Sequence, residues 1–393
     1  MTATKVGVVG AGAMGSGIAQ VAAAAGHDVV LADANAGAVA RAKTSIGASL
    51  AKLVEKGKLD AAKRDALIAR IAFTDAPLSD DMTRYRDCAL VIEAIVEDVA
   101  IKQSLFRALS AAVAPDAILA SNTSSLSIAS LARACDAPER VVGMHFFNPA
   151  PVLPLVEIVP WLGTSADVTT AAKKLADSWG KTTVIAADTP GFIVNRVARP
   201  YYSESLRIHD EGIASFATID WAMKEFGAFK MGPFELMDFI GNDVNFAVTS
   251  SMYESCFWEP RYKPSLTQKR LTDAGYFGRK AGRGYYNYDK DATPIEADRD
   301  KALGTQIFER VLAMLINEAA EAVLYRVASA HDIDLAMMKG VNYPKGLLAW
   351  SDEFGADWAL SRLTKLQEEY GEDRYRPSVM LRRLAHEHGR FHA

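Results

Sequence analysis

Residues 5–33 constrain the fold most tightly. KVGVVG is a short β-branched run, GAGAMG (10–15) sets three glycines at a strand-to-helix junction, and an alanine-rich stretch runs to Gly26. A second apolar run, Val29 to Ala32, ends at Asp33. Such runs suit buried parallel strands, and two of them joined by a helix form a crossover unit. Gly10, Gly12 and Gly15, with Ala13 and Met14 between them, permit a tight turn and close backbone approach to a pyrophosphate at the positive helix end. Asp33, about 20 residues on, is positioned to accept hydrogen bonds from an adenosine ribose. Its charge opposes a 2′-phosphate, and Ala34-Asn35-Ala36 supplies no cation, so the expected cofactor is NAD rather than NADP. A lone glycine turn would also fit a packing role; the flanking strand, helix and carboxylate favour the dinucleotide.

The same rhythm continues. ALVIEAIV (89–96), AILASN (117–122) and RVVGMHFF (140–147) read as strands, and IKQSLFRALSAAV as a helix. Residues 34–70 read as two long helices rich in Lys, including Lys43, Lys52, Lys56 and Lys58. The alternation predicts an α/β N-terminal domain over 1–187, a Rossmann-type doubly wound sheet of mainly parallel strands. From DTPGFIVNR (188–196) onward the chain reads as all-α. IDWAMKEFGAFKMGPFELMDFIG (219–241) matches IDLAMMKGVNYPKGLLAWSDEFG (333–355), RYKPSLTQKRL (261–271) matches RYRPSVMLRRL (374–384), and NRV (195–197) matches ERV (309–311). The offset is 113–114 residues throughout, which predicts two repeated helical modules, 188–290 and 303–393. The polar, proline-containing stretch 289–302 reads as their linker.

A chain of 393 residues exceeds one typical core, in keeping with this division. A net charge of −4 argues against a nucleic-acid partner. Cys88, Cys135 and Cys256 form no CxxC, so neither disulfides nor zinc are expected and a reducing compartment fits. No apolar run reaches about 18 residues, so no membrane span is expected. The N-terminus passes almost directly into the first strand, which leaves no expected targeting segment and suggests a cytoplasmic protein.

His145 ends an apolar strand at the sheet edge where such folds bind ligands. Glu157, twelve residues later in LPLVEIV, is a carboxylate in an apolar run and needs a partner. An imidazole would serve: the carboxylate would fix its tautomer and raise its basicity. By spacing alone the two need not meet, and His145 alone would also fit a satisfied core histidine. SNTSSL (121–126) follows a strand to the same edge and would otherwise supply a helix N-cap. Asn195, in TPGFIVNR, is either a site residue or a polar helix residue. His386, His388 and His392 suggest a solvated tail rather than a metal site; no metal is expected.

GAGAMG, EAIVED, SNTSSL, HFFNPAPVLPLVE, DTPGFIVNR and MGPFELMDFIG, in this order, resemble the 3-hydroxyacyl-CoA dehydrogenase family, as does FGRKAGRGYY (277–286). The duplicated C-terminal module resembles that of longer bacterial members, including those acting on 3-hydroxybutyryl-CoA or 3-hydroxyadipyl-CoA. The resemblance implies His145 as base with Glu157 as its partner, and Ser124 and Asn195 as donors to the reacting oxygen or thioester. It implies Glu97, Lys102, Ser124 and Asn148 beside the nicotinamide half of NAD. It also makes 45–60 a helical CoA lid, with Ser49 and Lys56 touching CoA; a solvated helix face is the other reading of Lys56. An acyl-CoA substrate follows, and either a monomer with pseudo-dimeric helical modules or a homodimer. L-gulonate dehydrogenase and lens-crystallin relatives share the surroundings of HFFNP, so a non-CoA hydroxy acid or a catalytically silent NAD-binding protein stands as the alternative.

Overall fold

The computed structural model describes residues 4–74 and 82–392, and the chain divides into two compact units, Met1–Thr189 and Pro190–Ala393. The first is an eight-stranded sheet in the order β3-β2-β1-β4-β5-β6-β7-β8. Its strands are β1 (Lys5–Val9), β2 (Asp28–Ala32), β3 (Ile71–Thr74), β4 (Leu90–Glu93), β5 (Ile118–Ser121), β6 (Val141–Phe146), β7 (Leu155–Pro160) and β8 (Thr182–Ile185). Every neighbouring pair is parallel except β6 and β7. The expected α/β sheet is therefore present, and β3 and β8 extend it. In both, IAFT and TTVI, half of the four residues are Ala or Thr, so neither reads as an apolar run.

Helices α1 (Ala13–Ala24), α2 (Ala36–Glu55), α3 (Ala61–Ala69), α4 (Val99–Ala112), α5 (Ile128–Ala132) and α6 (Ala166–Ser178) complete the unit. On one face Val6, Val8, Leu31, Ile92 and Met144 pack with Ile18 and Ala22 of α1, Ile46 of α2 and Ala172 of α6. On the other, a Cβ on Gly7 would meet Tyr85, and one on Gly143 would meet Ile128 of α5. With both faces covered, the strands are near-continuous apolar runs. The second of the two long helices expected over 34–70 is short: α3 has 9 residues against 20 in α2.

The second unit is nearly all helix. Its longest, Lys301–Leu324, is buried almost all round from Ile307 to Ala322. The sequence repeat has a counterpart in hydrogen bonds. Asp220 accepts from the N–H groups of Phe234 and Glu235 at the start of one helix, and Asp334 accepts from Leu348 and Ala349 at the start of another. Asp238 holds the N–H groups of Tyr285 and Tyr286, and Asp352 those of Phe391 and His392. Tyr286 Oη donates to Asp220 at 2.6 Å, and His392 Nε2 lies 2.9 Å from Asp334. His392 is thus bound into the fold rather than part of a solvated tail. Among the described residues no helix is long and apolar enough to cross a membrane.

Candidate active site

The parallel strands β1, β2, β4, β5 and β6 all end at one edge, where the glycine turn, Asp33, Glu97, Ser124 and His145 lie. At Gly10 the chain turns with φ +104°, and a Cβ would stand 2.4 Å from the carbonyl oxygen of Ala94. A Cβ on Gly15 would stand 1.8 Å from the Gly10 carbonyl oxygen, so only glycine lets α1 approach β1 this closely. Gly12 is the N-cap of α1; no side chain caps the helix, and a Cβ there would meet nothing within 4 Å. Gly12 and Ala13 are exposed, whereas Met14 packs against the core. The first N–H groups of a helix have no intrahelical partner, so α1 opens on a clear space that suits an anion. Asp33 lies just past β2, where its Oδ2 accepts from Ala11 N at 2.7 Å and its Oδ1 from Asn35 N at 2.8 Å. The turn, the open helix end and the fixed carboxylate fit a dinucleotide.

The structure adds one cation that the neighbouring residues lack in sequence. The Arg41 guanidinium lies 3.2 Å from where a Cβ on Gly37 would stand. Asp33 is expected to set the coenzyme choice, because its charge opposes a 2′-phosphate. Replacing Asp33 with serine is expected to raise the ratio of NADPH to NADH affinity at least about ten-fold, since removal of a repelling charge of order 1.4 kcal/mol has that effect. Fluorescence titration with both coenzymes checks it, and an unchanged ratio would reject the role of Asp33.

His145 and Glu157 are brought together by register. Pairing between β5 and β6 ends at Ser121 and Gly143, so the last three residues of β6 run on beside β7 alone. Asn122 Oδ1 accepts from Phe146 N at 2.9 Å and braces that extension. In the antiparallel β6–β7 pair His145 stands directly opposite Glu157. Nδ1 of His145 lies 2.6 Å from Glu157 Oε2, with the two side chains 7% and 0% exposed. With Nδ1 committed to the carboxylate, proton exchange falls to Nε2.

At the end of β4 stands a charge cluster that the sequence only half disclosed. Lys102 Nζ lies 2.9 Å from Glu93 Oε1 and 2.8 Å from Glu97 Oε2, and its side chain is 1% exposed. Glu93, fully buried, also accepts from Ser121 Oγ at 2.6 Å and from Ile95 N at 2.7 Å. Glu97 Oε1 accepts from Thr123 Oγ1, Ser125 Oγ and the N–H groups of Ser124 and Ser125. Burial would raise the Glu97 carboxyl, but the Lys102 ammonium and bonds from Lys102, Thr123 and Ser125 outweigh it and bring it down to about 2. Lys102 is therefore directed at two carboxylates and organises the 121–126 turn through Glu97. The N-cap expected within SNTSSL lies one residue further on: Ser127 caps α5, while Thr123 Oγ1 accepts from Leu126 N inside the turn. Glu93 was missed, although its place in ALVIEAIV invites the reasoning applied to Glu157: a carboxylate in an apolar strand needs a partner.

The remaining candidates are dispersed. Asn148 is exposed just beyond β6. Ser49 and Lys56 are exposed towards the end of α2, a helix whose other face enters the core through Ile46 and Leu50. Asn195 belongs to the second unit, in the short helix Val194–Val197.

The family model described as "3-hydroxyacyl-CoA dehydrogenase, NAD binding domain" matches residues 5–189. Its companion, "3-hydroxyacyl-CoA dehydrogenase, C-terminal domain", matches 191–288 and again 307–392. The 3-hydroxyadipyl-CoA dehydrogenase of Escherichia coli K12 is 38% identical over 97% of either chain. Human mitochondrial hydroxyacyl-coenzyme A dehydrogenase is 40% identical over 72% of this chain and 90% of its own. A crystal structure of 3-hydroxybutyryl-CoA dehydrogenase from Escherichia coli K12 superposes with a TM-score of 0.91 at 37% identity, covering 98% of this chain and 99% of the other.

Proposed function

The chain belongs to the 3-hydroxyacyl-CoA dehydrogenase family, and from that premise we propose that His145 is the base that removes the 3-hydroxyl proton of a 3-hydroxyacyl-CoA. The reaction is the NAD-dependent oxidation of that hydroxyl to the 3-ketoacyl-CoA. The observation that carries the assignment is the buried 2.6 Å contact between His145 Nδ1 and Glu157 at the ligand-binding edge of the sheet.

NAD⁺, when bound, supplies the hydride acceptor. Gly10, Gly12, Ala13, Met14, Gly15 and Asp33 would hold it on the chain's side, joined by Glu97, Ser124 and Asn148, while Lys102, buried against Glu93 and Glu97, would act through Glu97. Nε2 of His145 receives the hydroxyl proton, and Glu157 holds the ring in one tautomer and stabilises the imidazolium that results. Ser124 and Asn195 are assigned as donors to the reacting oxygen, each worth a few kcal/mol if well aimed. Ser49 and Lys56 are assigned to CoA. Alanine at Ser124 or Asn195 that leaves kcat/KM unchanged would remove that residue from the site.

A substrate panel tests the reading. Rates followed by NADH absorbance are expected to be at least about 10²-fold higher in kcat/KM with 3-hydroxybutyryl-CoA or 3-hydroxyadipyl-CoA than with L-gulonate, because a site built for one ligand's polar groups rejects a ligand lacking them. Preference for gulonate would move the chain to the non-CoA relatives, and silence with all three would make it a non-catalytic NAD-binding protein.

The second helical copy is assigned a structural role, standing in one chain where a partner's module would stand in a dimer. Its support is an exchange of ion pairs: Arg196 bonds Glu318 at 2.9 Å, and Arg310, 114 residues on, bonds Glu204 at 2.7 Å. Residue i of one module thus meets j of the other and the reverse, the mark of an isologous contact. Light scattering is expected to give a monomer, and a dimer joined through both modules would oppose it. The three free cysteines favour a cytoplasmic location; recovery with exported proteins on cell fractionation would oppose that.

A further inference from the structure

The pair of His145 and Glu157 stands where the sheet has lost one of its strands. Pairing of β5 with β6 stops at Ser121 and Gly143, so Met144, His145 and Phe146 have a strand on the β7 side alone. Phe146 turns its N–H to the side that β5 has left. The residue is 2% exposed, and a buried N–H without an acceptor is costly.

The acceptor is a single side chain. Asn122, the residue next past β5, takes the Phe146 N–H on its Oδ1 at 2.9 Å, in the place of the strand carbonyl that is missing. Because only the oxygen of an amide can accept, this bond also fixes which way the Asn122 amide faces. A helix cap does not account for the residue, since Ser127 caps α5.

The brace is itself anchored. Asn122 N donates to the Glu93 carbonyl oxygen at 2.8 Å. On one side of it Ser121 Oγ donates to the Glu93 carboxylate, and on the other Thr123 Oγ1 donates to Glu97 while Thr123 N donates to Ser121 Oγ. Ser121 and Thr123 are thereby committed to the Glu93, Glu97 and Lys102 cluster, and Asn122 is the residue of the three whose side chain crosses to β6. The cluster at the end of β4 is in this way joined to the residue that follows His145.

The contact of 2.6 Å between His145 Nδ1 and Glu157 leaves the ring little latitude. The strand tip that carries it is set on one side by register with β7 and on the other by the Asn122 bond. A displacement of about 1 Å in a reacting group can cost about 10²-fold in rate. From this geometry we infer that Asn122 is a positioning residue for the dehydrogenase reaction. By holding the tip of β6 it keeps the His145 ring against Glu157 and so fixes where Nε2 stands. The inference rests on the reading of His145 as the base.

The test compares two substitutions in the full chain, alone and together with His145→Gln. Asn122→Ala removes the acceptor without adding bulk, at a residue that is only half-buried; Asn122→Asp keeps an oxygen in the same place. The alanine variant is expected to lose about ten-fold in kcat with 3-hydroxybutyryl-CoA, a part of the penalty for a misplaced group. KM and NADH affinity by fluorescence titration are expected to change little, because an interaction felt only in the transition state lowers kcat and kcat/KM together. Asn122→Asp is expected to recover most of the rate. In the His145→Gln background Asn122→Ala is expected to cost little more, since changes that act through one group are not additive. The same ten-fold loss in both backgrounds, a loss confined to KM, an aspartate variant as slow as the alanine one, or an alanine variant at the wild-type rate would overturn the inference. Asn122→Leu, which also lacks the acceptor, takes the place of alanine if that protein does not fold. A His145→Gln protein with a near wild-type rate would instead dismiss the base assignment, so the two failures are told apart.

Discussion

A His145→Gln enzyme is expected to lose about 10²-fold or more in kcat while binding NADH as the parent does, since a positioned general base contributes about 10²–10⁴-fold. Glutamine retains a polar side chain that can donate to Glu157, which is fully buried and would otherwise lose its partner at a cost to folding. What it lacks is a nitrogen that can take up a proton. The expected loss therefore falls on turnover and not on coenzyme binding or stability. Initial rates by NADH absorbance, NADH fluorescence titration and a thermal melt separate the three. A folded variant with a near wild-type rate would dismiss His145 as the base.

The second large effect concerns stability. Lys102→Met is expected to destabilise the first unit by about 3–5 kcal/mol, the usual cost of removing one partner from a buried ion pair. Methionine fills a similar volume but leaves Glu93 fully buried and Glu97 without its cation. The pH dependence gives the effect a sign. In the folded chain Glu97 titrates at about 2 against an ordinary 4.5. A carboxyl lowered on folding adds stability above the unfolded value and loses it as pH falls through the folded one. The gap between wild type and variant is therefore expected to be widest near neutrality and to narrow from pH 4.5 toward 2. Urea melts at several pH values measure it, and a gap that is constant or widens in acid would contradict the role given to Lys102.

The sheet was legible because a parallel strand covered on both faces writes itself as an apolar run, as in KVGVV and VVGMHF. Strands β3 and β8 escaped because four residues, half of them Ala or Thr, carry no such mark. The glycine turn between β1 and α1 was legible for a stricter reason. Gly15 is compelled by a contact of 1.8 Å that any Cβ would make, so the backbone requirement appears directly as a residue type. In the helical unit the repeat itself was visible, but the tail was misjudged: the equivalence of Tyr286 and His392 lies in what each donates to, Asp220 and Asp334, and not in the residues themselves.

What the sequence determined by itself was local: which segments are buried strands, where glycine is obligatory, and that Glu157 in LPLVEIV required a partner. A buried charge makes that demand in any fold. Which partner it would be was a matter of tertiary structure alone. His145 meets Glu157 because β6 outruns β5 and pairs antiparallel with β7 in a register that sets the two opposite. A slip of one residue would have turned either side chain to the other face of the sheet. Register is fixed by the packing of whole strands and not by any short stretch of chain.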